Sequence, residues 1–175
     1  AHFAATVRAI RLRLPGCRVE VLIPDFRGST EALRTVLEAA PEVLNHNLET
    51  VPSLYPGVRP GASYERSLAL LAAARQIRAQ TPTKSGLMLG LGESTDEILS
   101  VMSELRAAGV DLLTLGQYLQ PSSLHLPIRR FIPPREFQEL ARRGRQLGFA
   151  HLEAGPLVRS SYHAAQITLP APSSA

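Results

Sequence analysis

The sequence predicts an α/β fold built from parallel β/α units. Two observations predict it. Short β-branched runs alternate with helical periods along the chain, and every unusual polar cluster falls directly after a strand. Ligands of parallel β/α folds sit at the carboxyl ends of the strands, so the second observation also locates the candidate site. Random placement would have sent some of these clusters to the opposite rim.

Residues 1–14 read as a helix carrying Arg8, Arg11 and Arg13, followed by a turn around Gly16 and Cys17. Val19-Glu20-Val21-Leu22-Ile23 is a short strand closed by Pro24. Ser29 or Thr30 caps a helix through Ala39, which Pro41 stops. Residues 42–45 form a second strand, and a Pro/Gly-rich loop follows from Val51 to Gly61. Ser63 opens a long helix to about Gln80. Residues 85–89 read as the third strand, with Lys84 just before it, on the opposite rim and without an assigned role. Ser94 with Glu97 three positions on is a capping box for a helix ending near Gly109. Residues 111–115 make the fourth strand, and a long loop runs from Gln117 to Pro133. Pro134 suits the first turn of a helix to Leu147, stopped by Gly148. Residues 149–154 are the last strand, and the tail 169–175 is expected to be disordered.

Composition narrows the function. The 175 residues fit one domain, and the net charge of +4 is almost all arginine, Lys84 being the only lysine. The arginines are spread over several helices, Trp is absent and aromatics are 5%, which gives little to stack on bases. A basic face for an acidic partner or an anionic substrate is favoured over nucleic acid. No apolar run approaches the ~20 residues of a membrane span, and no signal core precedes a cleavage site, so a cytoplasmic location is expected. One cysteine excludes an internal disulfide and an all-cysteine metal site within the chain.

Three segments carry chemistry. Asn45-His46-Asn47-Leu48-Glu49-Thr50 sets a carboxylate and amides side by side, a donor and acceptor set suited to a ribose diol; it is equally a loop whose side chains satisfy their own backbone. Arg66, near the start of the long helix, is placed to fork onto a carboxylate or to be a solvated helix residue. Gly155-Pro156-Leu157-Val158-Arg159-Ser160-Ser161-Tyr162-His163-Ala164 packs a cation, two hydroxyls, a phenol and an imidazole into five positions after a Gly-Pro turn, a composition that core packing does not ask for. The histidines show no metal-ligand spacing, and no Ser-His-Asp order or nucleophile elbow stands out.

Five motifs in one order resemble lipoyl synthases of the radical S-adenosylmethionine superfamily. They are Val21-Leu22-Ile23-Pro24-Asp25-Phe26, the run from Asn45 to Tyr55, the run from Thr83 to Glu93, Gly116-Gln117-Tyr118-Leu119-Gln120-Pro121, and the Arg159 segment. The resemblance implies that residues 1–168 are the C-terminal part of a TIM-type (β/α) barrel lacking its first strands. It further implies S-adenosyl-L-methionine and two [4Fe-4S] clusters as cofactors, and insertion of two sulfurs at C6 and C8 of a protein-bound octanoyl group. By the same resemblance Asn47 and Glu49 hold the adenosyl ribose and Arg66 the methionine carboxylate. Gly90 and Gly92 belong to the run lining the adenine pocket. Ser161 is a labile ligand of the sulfur-donating cluster, positioned by Arg159 and Ser160. The implied partners are octanoylated lipoyl-carrier domains (2-oxoacid dehydrogenase E2 subunits and the glycine cleavage H protein) and iron–sulfur assembly or carrier proteins. The family's two cysteine triplets are missing from this chain, which is therefore expected to be inactive alone. Competing readings are a biotin-synthase-like radical enzyme and a non-catalytic β/α domain that binds a small anion or protein partner through the same rim. A phosphate-binding β/α enzyme would need a glycine-rich loop late in the chain, and Gly155-Pro156 matches that poorly.

Overall fold

The computed structural model describes residues 2–164. In chain order the elements are α1 (His2–Arg13), β1 (Glu20–Leu22), α2 (Thr30–Glu38), β2 (Val43–Asn45), α3 (Tyr55–Val58), α4 (Tyr64–Ile77), β3 (Thr83–Leu89), α5 (Thr95–Ala107), β4 (Leu112–Gln117), α6 (Pro134–Gln146) and β5 (His151–Gly155). The five strands form one sheet in the order β1-β2-β3-β4-β5, every pairing parallel. The expected parallel β/α fold is therefore present. The expected disordered tail lies outside the described residues.

Alternation along the strands divides the sheet into two faces. Leu87, Leu89, Leu113 and Leu115 are buried with Ile98, Met102 and Leu105 of α5 and Phe137 and Leu140 of α6. Val21, Ile23 and Leu44 pack with Leu33 and Leu37 of α2 and with Leu70 and Ala74 of α4. This helix-covered face holds most of the core, and each fully buried leucine in it contributes roughly 1.5–3 kcal/mol. The other face carries Glu20, Asn45, Lys84, Gly86, Thr114, Gly116 and Glu153, and it forms the wall on which a ligand would rest.

The caps follow the sequence closely. The Ser29 hydroxyl accepts from the Ala32 N–H, and the Ser94–Glu97 capping box is complete in both directions. Gly144 stands inside α6, where glycine costs about 1 kcal/mol relative to alanine. A Cβ there would collide with Leu152 of β5 and come within 2.9 Å of Met102, so the glycine lets α6 sit directly on the sheet.

Several boundaries differ from the sequence reading. The Pro/Gly-rich loop contains a 3₁₀ turn at Pro52–Leu54 and one turn of helix, α3. Strand β3 starts at Thr83, two residues early, so Lys84 is inside the strand and 1% exposed. The strand tolerates a buried ammonium because the Glu20 carboxylate, on β1, accepts from Nζ through both oxygens at 3.0 Å. Asn45 of β2 completes the triad by donating to the same Glu20 carboxylate at 3.0 Å. Strand β4 extends to Gln117, which the sequence reading placed in the following loop.

Candidate functional site

At the carboxyl ends of β2, β3 and β4 the inner face opens into a cleft of about 350 Å³. Its walls bring together Asn47 and Glu49 after β2, Gly86 and Met88 of β3, Thr114 and Gly116 of β4, and Arg159 and Ser160 after β5. Residues from three of the segments that follow strands, after β2, β4 and β5, thus lie close together, whereas Gly90 and Gly92 after β3 do not line the cleft, and sequence positions more than 100 residues apart share one wall.

The 47–49 turn is held from below by β3. The Glu49 N–H donates to the Gly86 carbonyl at 2.9 Å, and the Met88 N–H donates to the Glu49 carbonyl at 2.8 Å. These bonds keep Glu49 in the left-handed region at φ +70°, which a non-glycine residue adopts only when its surroundings fix it. Asn47 Oδ1 is buried without a hydrogen-bond partner, so it is an acceptor awaiting a donor. Burial pushes the Glu49 carboxyl above its usual range, against a hydrogen bond from Asn47 and the Arg59 charge, which pull it down. An unsatisfied amide oxygen beside a carboxylate is a receptor for paired hydroxyl donors.

Behind the turn, Arg59 donates to the Asn47 carbonyl at 3.2 Å and to the Tyr55 hydroxyl at 3.2 Å. Sequence reasoning missed this residue because its partner is a backbone carbonyl, which leaves no mark on side-chain spacing. His46 is buried and holds Ile23 O at 2.8 Å through Nδ1, with Nε2 unpartnered. Burial lowers its pKa, and the Arg59 charge adds to the effect.

Arg66 lies outside the cleft walls. Its Nε donates to Asp25 Oδ2 at 2.5 Å, which ties the start of α4 to the loop after β1. Burial raises the Asp25 carboxyl, but the Arg27 N–H and the Arg66 guanidinium more than offset it, and the net shift is downward.

Gly90 and Gly92 both have positive φ, +99° and +121°. The side of Gly90 where a Cβ would project is filled by the Arg130 carbonyl oxygen and the Gln117 amide. Gln117 fastens the long loop there: its Nε2 donates to Leu89, Tyr118 and Arg130 carbonyls at 3.1 Å each, and its Oε1 accepts from Ile132 N–H at 2.8 Å. The Glu93 carboxylate accepts from the Gly90 and Leu91 N–H groups at 2.5 and 2.9 Å, closing the glycine turn.

The segment after β5 crosses the inner face. Gly116 lacks a Cβ where the Val158 carbonyl passes, and Arg159 Nη1 donates to the Val158 carbonyl at 2.7 Å and the Gln117 carbonyl at 3.5 Å. Ser160 reaches the cleft wall, whereas Ser161 is exposed in the turn beyond it. Further on, His163 Nδ1 stands 3.6 Å from Glu153 Oε1, and Ala164 packs with Val43 and Leu112. The segment therefore runs down the sheet, carrying Ser161 over the inner face.

Among the described residues no group of three His, Cys, Asp or Glu side chains is placed to hold a metal ion. Cys17 is exposed and unpaired. A [4Fe-4S] cluster needs several thiolates, so the residues described do not by themselves hold one. The cleft does fit a ribose, with its orphaned amide oxygen, adjacent carboxylate and glycine floor.

Comparison with known proteins identifies the family. Residues 1–105 match the family model described as the radical SAM superfamily. The chain belongs to that superfamily. Among curated relatives, lipoyl synthase of Acidithiobacillus ferrooxidans is 59% identical over 164 residues, 93% of this chain and 52% of the relative. Lipoyl synthase of Rubrobacter xylanophilus is 55% identical over 166 residues, 95% of this chain and again 52% of the relative. The chain spans about half the length of the curated relatives it matches. A crystal structure of methylornithine synthase matches with a TM-score of 0.66 over 87% of this chain and 51% of that one. At 14% identity this shows the fold alone: the radical SAM sheet is partial here, with five parallel strands. No helix among the described residues is long and apolar enough to cross a membrane.

Proposed function

We propose that this chain provides the S-adenosylmethionine ribose site and the serine segment of a lipoyl synthase. The observation that carries the reading is the cleft in which Asn47 Oδ1, buried and without a partner, stands beside the Glu49 carboxylate. Identity of 54–59% to curated lipoyl synthases over almost the whole chain supports the reaction class.

In this reading Asn47 and Glu49 accept the two ribose hydroxyls, and the glycine at 86 lets the sugar lie on the strand. Arg66 binds the methionine carboxylate once its fork is shared between Asp25 and the ligand. The Gly90–Gly92 turn supports the adenine end through its backbone. Arg159 and Ser160 hold the segment that carries Ser161, whose hydroxyl is a weak iron ligand beside thiolates. When bound, S-adenosylmethionine and two [4Fe-4S] clusters supply the radical and the sulfur that convert an octanoyl chain to lipoyl. The described residues do not hold the clusters, and the chain alone is inactive in this reading. The acceptors would be octanoylated lipoyl-carrier domains, iron–sulfur assembly proteins would load the clusters, and the work would be done in the cytoplasm.

The test joins this chain to the remaining half of the Acidithiobacillus ferrooxidans relative and reconstitutes the product with iron and sulfide. Lipoyl formation on an octanoylated carrier, lost on Ser161→Ala, is the expected result. Iron bound with no lipoyl product, or no iron bound, favours a non-catalytic β/α domain instead.

A further inference from the structure

The 47–49 turn is fixed on one side by β3, through the two backbone bonds at Glu49. Leu48 adds a bond from its N–H to Ser85 Oγ at 3.2 Å and buries its side chain in the core, and on the far side one arginine grips the Asn47 carbonyl. Arg59, in the loop between α3 and α4, donates through Nη1 to the Asn47 carbonyl and to the Tyr55 hydroxyl, both at 3.2 Å. Its guanidinium carbon lies 5.6 Å from the Tyr55 ring centroid, within cation–π range. Tyr55 in turn is buried and meets Tyr64 edge-on at 5.4 Å, and the Tyr64 hydroxyl donates to Glu104 of α5 at 2.9 Å. The arginine is thus held by Tyr55 of α3, which α4 and α5 brace through Tyr64 and Glu104, and it delivers that support to one carbonyl of the turn. Among the described residues no carboxylate pairs with it directly, so ion pairing does not account for its place.

We propose that Arg59 is a positioning residue that fixes the 47–49 turn so that the Asn47 amide oxygen and the Glu49 carboxylate face one vicinal diol; this rests on the ribose reading of the cleft. Arg59 lies behind the turn and does not line the cleft, so it acts through Asn47 and Glu49. Without it, the Asn47 carbonyl loses its side-chain hydrogen bond, and the Asn47 amide is no longer fixed in its spacing from the Glu49 carboxylate. The Arg59 charge also opposes the upward push that burial exerts on the Glu49 carboxyl.

The experiment titrates the 175-residue chain by calorimetry with 5′-deoxyadenosine and with 2′,5′-dideoxyadenosine, which lacks one hydroxyl of the diol. The wild type is expected to prefer the diol by about tenfold, the value of one well-made hydrogen bond to a charged group. Arg59→Gln reduces the preference to within about twofold while adenine-dependent binding of both ligands persists. Arg59→Lys and Tyr55→Phe, which keep a cation or keep the Asn47 contact, give intermediate ratios and carry the test where Arg59→Gln does not fold. The ratio is the informative readout, because a merely structural loss weakens both ligands equally. Retention of the full ratio in Arg59→Gln, or an unchanged ratio across the Lys and Phe variants, overturns the role of Arg59 and leaves the ribose reading intact. A wild type that does not distinguish the two ligands overturns the ribose reading and the positioning role with it.

Discussion

Removing either partner of the Lys84–Glu20 pair tests whether the inner face is built around a buried charge. Lys84 is 1% exposed and Glu20, at 20% side-chain exposure, is the carboxylate that neutralises it. Glu20→Gln leaves the ammonium in place with an amide acceptor but no counter-charge, and deleting one member of a buried pair costs about 3–5 kcal/mol. The upper end applies here, because the remaining charge is the fully buried one. Lys84→Met leaves Glu20, which keeps the Asn45 amide and some water, so the loss falls near the lower end, about 3 kcal/mol. The double variant Glu20→Gln/Lys84→Met buries no uncompensated charge, and its loss is smaller than that of Glu20→Gln alone. Urea unfolding followed by far-UV circular dichroism at pH 7 gives all four corners of the cycle, with an expected coupling of about 2 kcal/mol or more. Additive single losses, or a Glu20→Gln cost below about 1 kcal/mol, refute the reasoning: the ammonium would then reach water in solution.

Ser94→Ala removes the side chain on which the capping box of α5 turns, and should cost about 1 kcal/mol, read as a drop of about 2–4 °C in thermal midpoint. Gly90→Ala forces a Cβ into the Arg130 carbonyl and the Gln117 amide at φ +99°, costing at least ~2 kcal/mol and releasing the long loop; limited trypsin digestion should then cleave after Arg129 or Arg130 before global unfolding. Glu49 is raised by burial, so the folded state holds its proton more tightly and stability falls as pH climbs from the ordinary carboxylate value through the folded one. Glu49→Gln should abolish that decline, leaving the variant more stable than wild type at neutral pH in urea titrations while weakening nucleoside binding. Asp25 carries the opposite sign: its lowered value adds stability above the usual aspartate range that is lost as pH falls, and Asp25→Asn should remove that acid-side loss in the same titrations.

What the sequence reveals is set by the range of the interaction that writes it. Periodicity and caps are local, and α2, α5 and α6 appear where Ser29, Ser94 and Pro134 place them. Partners far along the chain leave no such mark. Lys84 looks like a rim residue until Glu20, 64 positions earlier, is seen to neutralise it, and only then does β3 extend back to Thr83. The site divides the same way. Asn47 and Glu49 are legible because their chemistry lies within three residues, whereas Arg59 grips a backbone carbonyl and Gln117 knits the end of β3 to three backbone groups of the following loop. Gly90 shows the limit most plainly. A glycine at a strand end permits close approach, but sequence cannot say by what, and here the Gln117 amide and the Arg130 carbonyl take the space. Any contact the Gly90–Gly92 turn makes with an adenine therefore has to come from its open flank, while the flank under the loop serves to hold residues 117–132 against the rim. That division explains why one short glycine turn combines a carboxylate cap from Glu93 with a tightly packed loop: the backbone is made rigid from within the protein, so that a ligand bound at its remaining edge, as proposed, would meet an already ordered backbone.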